Sequence, residues 1–102
     1  MVINTKMKAR LRFYAKNEIN ERYIVELVIH EVGRSANYPD GIKYGLICKD
    51  LDTGDYVLLD NHYPKGPHVH VNDKEFSYNY VDDEKLIKDF KSLVLRELGV
   101  KI

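Results

Sequence analysis

The stretch Lys6-Met7-Lys8-Ala9-Arg10-Leu11-Arg12-Phe13-Tyr14-Ala15-Lys16 alternates polar and apolar residues almost without fault. On an extended chain successive side chains point to opposite faces, so Met7, Ala9, Leu11, Phe13 and Ala15 share one face and the cations with Tyr14 share the other. This spacing predicts a half-buried β-strand. A polar turn around Asn17 and Asn20 leads to a second predicted strand, from about Arg22 to Val32, with Tyr23, Val25, Leu27 and Ile29 at its odd positions. If the hairpin closes around residues 18–20, Phe13 faces Val25, Leu11 faces Leu27 and Arg12 faces Glu26. Apolar then meets apolar and cation meets anion.

The same alternation continues outward. Gly33 to Gly41 is a turn-rich loop ending in Pro39-Asp40-Gly41, and a third strand is expected from about Lys43 to Lys49. Asp52-Thr53-Gly54-Asp55 makes the next tight turn, and Tyr56 to Leu59 reads as the fourth strand. His68 to Val71 and Lys74 to Tyr78 read as two short strands around an Asn72-Asp73 turn. One helix follows. Asp82 suits its N-cap, Asp83 and Glu84 suit the positive end of its dipole, Val81 is placed to staple onto Leu86, and Gly99 stops it. Leu86, Phe90, Leu93, Val94 and Leu98 form one apolar stripe at helical spacing. The expected architecture is a single α+β domain over residues 1–102, an antiparallel β-meander sheet with one C-terminal amphipathic helix packed on it.

Composition bounds the function less tightly. The 102 residues are 44% hydrophobic and 31% charged, with sixteen cations against sixteen anions. That balance does not announce a nucleic-acid binder, although a local basic face remains compatible with it. The single cysteine, Cys48, excludes an internal disulfide and a cysteine-based zinc site, and fits a reducing cytoplasm. It lies in the apolar run Leu46-Ile47-Cys48, which points to a buried, inert thiol. No apolar stretch approaches the roughly 20 residues that span a bilayer, and Met1 to Lys8 lacks the apolar core of a signal peptide. A cytoplasmic protein without membrane contact is expected.

The segment Leu59-Asp60-Asn61-His62-Tyr63-Pro64-Lys65-Gly66-Pro67-His68-Val69-His70 concentrates the chemistry. It holds three of the four histidines and two of the three prolines. Pro64 and Pro67 stiffen the backbone around a permissive Gly66, which makes an ordered turn. His68 and His70 are two apart and share a strand face. Two imidazoles near neutral pH can act as acid and base on RNA, one taking the 2′-hydroxyl proton and the other protonating the leaving oxygen, with Lys65 steadying the phosphorane charge. Alternatively His62, His68, His70 and Asp60 can converge on a divalent metal. The plain alternative is a loop of exposed or hydrogen-bonded histidines. His30, on the polar side of the second strand, reads as a surface residue. Lys6, Lys8, Arg10, Arg12 and Lys16 could track a phosphate backbone or merely protect a sheet edge. The eight tyrosines could stack on bases but suit half-buried strands as well. No phosphate loop, dinucleotide fingerprint, nucleophile elbow or zincin motif is present.

Tyr44-Gly45-Leu46-Ile47, the segment from Leu59 to His70, then Glu75-Phe76-Ser77-Tyr78 and the helix with Leu86-Ile87-Lys88-Asp89-Phe90 together resemble the TumE-type toxin family of bacterial and archaeal toxin–antitoxin modules. The resemblance covers roughly residues 42–95 and is carried mainly by Lys65-Gly66-Pro67-His68-Val69-His70. It places Asp60, Asn61, Lys65, Gly66, His68 and His70 at the family's characteristic positions. Glu75-Phe76-Ser77-Tyr78 lacks the proline associated with that stretch. The resemblance implies a toxin-like protein paired with a helix-turn-helix antitoxin, with RNA as its target. The residues themselves, apart from the resemblance, suggest His68 and His70 as the acid and base, Asp60 as the group that orients a histidine, and Lys65, Arg10 and Arg12 as substrate-binding. No cofactor is expected. The competing expectations are a non-catalytic module that docks a DNA-binding partner, and a metal-dependent phosphodiesterase-like site.

Overall fold

The computed structural model describes residues 9–102. Six strands run in chain order: β1 (Arg10–Ile19), β2 (Tyr23–Glu31), β3 (Ile42–Asp50), β4 (Tyr56–Asp60), β5 (His68–Val71) and β6 (Lys74–Ser77), followed by α1 (Asp83–Leu98). They form one sheet in the order β1-β2-β3-β4-β5-β6, each pair antiparallel. This is an α+β fold, a meander with one helix packed on β3 and β4. Among the described residues no helix is long and apolar enough to cross a membrane.

Two faces with different fates follow from the pleat. Val25, Leu27, Ile29, Tyr44, Leu46, Cys48, Val57 and Leu59 are buried on one face, where Leu86, Phe90 and Val94 of α1 close the core. Burial pushes the Cys48 thiol up to about 11, with Asp50 adding to the shift, so this thiol stays protonated and unreactive at neutral pH. The helix ends as its sequence dictates. The Asp82 carboxylate accepts the Lys85 N–H at 2.8 Å, and Gly99 takes the left-handed conformation that a C-cap requires. Val81, just before the cap, stays 56% exposed.

Lys6, Met7 and Lys8 lie outside the described residues. Over the rest of its length the first strand departs from expectation in three ways: its register, a bulge and its burial. Asn20 and Glu21 both take positive φ, and Arg22 N–H donates to the Ile19 carbonyl at 3.0 Å, so the turn centres two residues later than residues 18–20 imply. Phe13 therefore faces Ile29, and Glu26 faces Lys16 in place of Arg12. A bulge between Leu11 and Phe13 then turns Leu11 onto the other face, opposite His30, where it is 60% exposed. The third departure concerns burial. A helix about 10 Å across spans only two or three strands spaced about 4.8 Å apart, so β1 at the margin is exposed along most of its length.

Asp50, buried at the end of β3, accepts from both Nε and Nη2 of Arg22, at 3.0 and 2.9 Å, and from the Asp52 and Thr53 N–H groups. The Arg22 guanidinium holds its carboxyl well below the usual carboxylate range, against the opposing pull of burial. A depressed folded-state value means that this stabilisation is complete above the unfolded value, near pH 4, and fades as the pH falls below it. Asp50→Asn should flatten the acid limb of the stability curve below about pH 4, measured by urea denaturation across pH. Phe90→Ala should cost about 3–5 kcal/mol in the same assay at pH 7.

Candidate functional site

The strand pairings carry one group of polar side chains onto the face that α1 leaves bare. Asp60 lies opposite His68, Leu58 opposite His70, and His70 opposite Glu75. The alternate residues Leu59 and Val69 point to the core side, so Asp60, His68, His70 and Glu75 share the helix-free face.

The β4–β5 loop closes over this end of the sheet. Asn61 is buried and clamps its start: its Oδ1 accepts the Tyr44 N–H at 2.9 Å and its Nδ2 donates to the Ile42 carbonyl at 2.7 Å. The Tyr38 hydroxyl accepts the Tyr63 N–H, and Gly66 N–H donates to the His62 carbonyl. Gly66 turns the chain with φ +78°, a conformation that side chains rarely adopt. That turn aims its carbonyl back at His68, whose Nδ1 lies 2.6 Å away.

His68 is thus gripped from both sides. A carbonyl only accepts, so Nδ1 carries the hydrogen. Nε2 faces Asp60 Oδ1 at 3.0 Å, and Glu75 Oε2 stands 4.0 Å from the same nitrogen. The His70 ring packs edge-on against His68 with centroids 4.5 Å apart, and stays half-buried. Lys65 Nζ reaches Glu75 at 2.9 Å and draws the Glu75 carboxyl below its ordinary value. One donor atom from each of His68, His70 and Glu75 lies within 4.8 Å of the other two, spacing that fits a shared metal ion.

Asp60, Lys65, His68 and His70 are therefore brought together. His62 is not. It is exposed and borders a separate shallow hollow with His30, Lys43 and Gly45. Arg10 and Arg12 lie on β1, four strand spacings or about 19 Å from β5. The bulge splits the cationic strand as well: Arg12 turns to the helix and pairs with Asp83 at 3.0 Å, whereas Lys16 stays opposite Glu26. Glu75 is the site residue that the sequence reading passed over. Its signal was present, since an Asn72-Asp73 hairpin puts it opposite His70.

A hollow of about 720 Å³, lined by Val69, Phe76, Leu93 and Arg96 among others, lies between α1 and the β5–β6 hairpin. It is on the opposite face from the histidines, and the sheet separates the two. Comparison with protein-family models, with curated proteins and with solved structures gives no match.

Asn61→Ala removes the partners of two backbone groups at once. It should cost about 2–6 kcal/mol of stability, since each buried orphan costs roughly 1–3 kcal/mol, and it should loosen the loop that holds His68. Urea denaturation measures the first effect. Faster amide exchange at Gly66 relative to the β2 amides measures the second.

Proposed function

We propose that this protein is a toxin-like component of a toxin–antitoxin module that cleaves RNA at the Asp60–His68–His70 cluster. The observation that carries the reading is the convergence of two imidazoles, a carboxylate and the Lys65 ammonium at one end of a sheet face left open by the helix. An RNA strand lying across this face meets Tyr14 and Tyr56, against which bases stack, and Lys43 and Lys49, which attract phosphates. Its 2′-hydroxyl is what distinguishes it from DNA.

His70, half-buried and reachable from the open face, takes the proton of the 2′-hydroxyl. The freed oxygen attacks the adjacent phosphorus, and the bond to the 5′ oxygen breaks. His68, which enters the reaction protonated at Nε2 with that proton held by Asp60, gives it to the leaving oxygen. Lys65 leaves Glu75 and steadies the charge that builds on the phosphorane. Arg10, opposite Glu31, and Arg12, paired with Asp83, lie on the helix side of the sheet and take no part in binding a strand on the open face. A helix-turn-helix antitoxin is the partner that holds such a protein in check.

Purified protein should cleave cellular RNA in the presence of chelator. His70→Ala should slow cleavage by at least about 100-fold without changing the unfolding midpoint, as expected for loss of a general base. Equal rates for the wild type and this variant would sink the catalytic reading.

A further inference from the structure

Hydrogen bonding leaves one contact in the cluster without a donor. With Nδ1–H given to the Gly66 carbonyl, the neutral His68 ring presents a bare lone pair at Nε2. That lone pair meets Asp60 Oδ1 at 3.0 Å, a buried oxygen that has no donor of its own among the described residues. Without a proton on Nε2 two acceptors face each other there and repel, so the contact is closed either by that proton, as the acid role of His68 requires, or by a metal ion that displaces it.

The surroundings favour a metal ion in that place. Glu75 Oε2 is 4.0 Å from the same nitrogen, and His70 adds a second imidazole within the 4.8 Å group. Ligands that each sit about 2.0–2.2 Å from one ion stand roughly 3–4 Å from one another, so these spacings need only small side-chain adjustments. The Gly66 carbonyl on Nδ1–H is the outer contact that orients a metal-binding imidazole. Three adjacent paired strands supply all four side chains, which fixes their spacing. Lys65, 57% exposed, is free to swing off Glu75 when a stronger cation arrives.

We infer that Asp60, His68, His70 and Glu75 form a binding site for a divalent first-row transition cation. Two imidazoles with two carboxylates suit Zn²⁺, Mn²⁺ or Fe²⁺ better than Mg²⁺ or Ca²⁺, which prefer all-oxygen sites. The inference stands on the geometry of the cluster and does not need RNA cleavage to hold. If both hold, the ion and the RNA proton compete for the same His70 lone pair, and added Zn²⁺ inhibits cleavage.

The test is calorimetric titration of chelator-stripped protein with Zn²⁺, repeated with Co²⁺ followed by its visible absorption. One equivalent should bind per chain. His70→Ala and Glu75→Gln should each weaken binding by at least about 100-fold, a larger loss than outer contacts cause. His30→Ala and His62→Ala, outside the group, should leave it unchanged, and circular dichroism establishes that each variant is folded. Absence of binding to folded wild type, or binding that survives in the His70→Ala/Glu75→Gln double variant, would overturn the inference. RNA plays no part in this assay, so loss of the cleavage reading leaves the metal site standing, and the reverse.

Discussion

A single helix has to cover a six-stranded sheet, and most other features of the molecule follow from that mismatch. The helix is about 10 Å across, whereas six strands extend over about 24 Å. It settles over the middle, on β3 and β4, where Leu86, Phe90 and Val94 meet Leu46, Val57 and Leu59. The margins are left to solvent. Phe13 on β1 and Phe76 on β6 remain 38% and 53% exposed although both belong to the core-side pattern. Among the described residues the opposite face carries no helix, and there the β4–β5 loop shelters a polar cluster.

That loop links packing to chemistry. Asn61 spends its whole amide on the β3 backbone, which fixes where the Pro64–Pro67 turn begins. The turn then delivers the Gly66 carbonyl to His68 and Lys65 to Glu75. His68 is buried although no helix lies over it, and the oxygen of Asp60 is buried beside it. Burial of this kind raises the cost of every unpaired acceptor, so the contact between Nε2 and Oδ1 is where a proton or a cation is most strongly held. On the other side of the sheet the tyrosines are used structurally. Tyr78 and Tyr80 donate to Asp89 and Asp83 of the helix, and Tyr44 stacks on Tyr80.

The strands, the helix and its caps were legible because each rests on local periodicity or on a single capping side chain. Asp82 and Gly99 act within one turn of their own positions. The grouping of Asp60, Lys65, His68 and His70 was also legible, being nearly contiguous on one hairpin. Glu75 is set opposite His70 by the Asn72-Asp73 turn, a cross-strand relation that spacing along one strand does not display. His62 was grouped with the other two by proximity in sequence. The loop sends it to the His30 and Lys43 side instead.

The sequence by itself determined the alternation of faces, the order of the six strands and the helix that closes the core. Only the tertiary structure decided the register of the first hairpin, the fate of Arg12 and the depth of His68. The physical reason is the period of the pleat. Shifting a strand by an even number of residues keeps apolar opposite apolar, so the pattern of Phe13, Val25 and Ile29 allows several registers. The left-handed pair Asn20 and Glu21 selects one of them, and the bulge at Arg12 breaks the pattern after it. Burial of His68 depends in the same way on how the Pro64–Pro67 turn folds back onto it and where the neighbouring strand β4 comes to rest, which the alternation of residues does not contain.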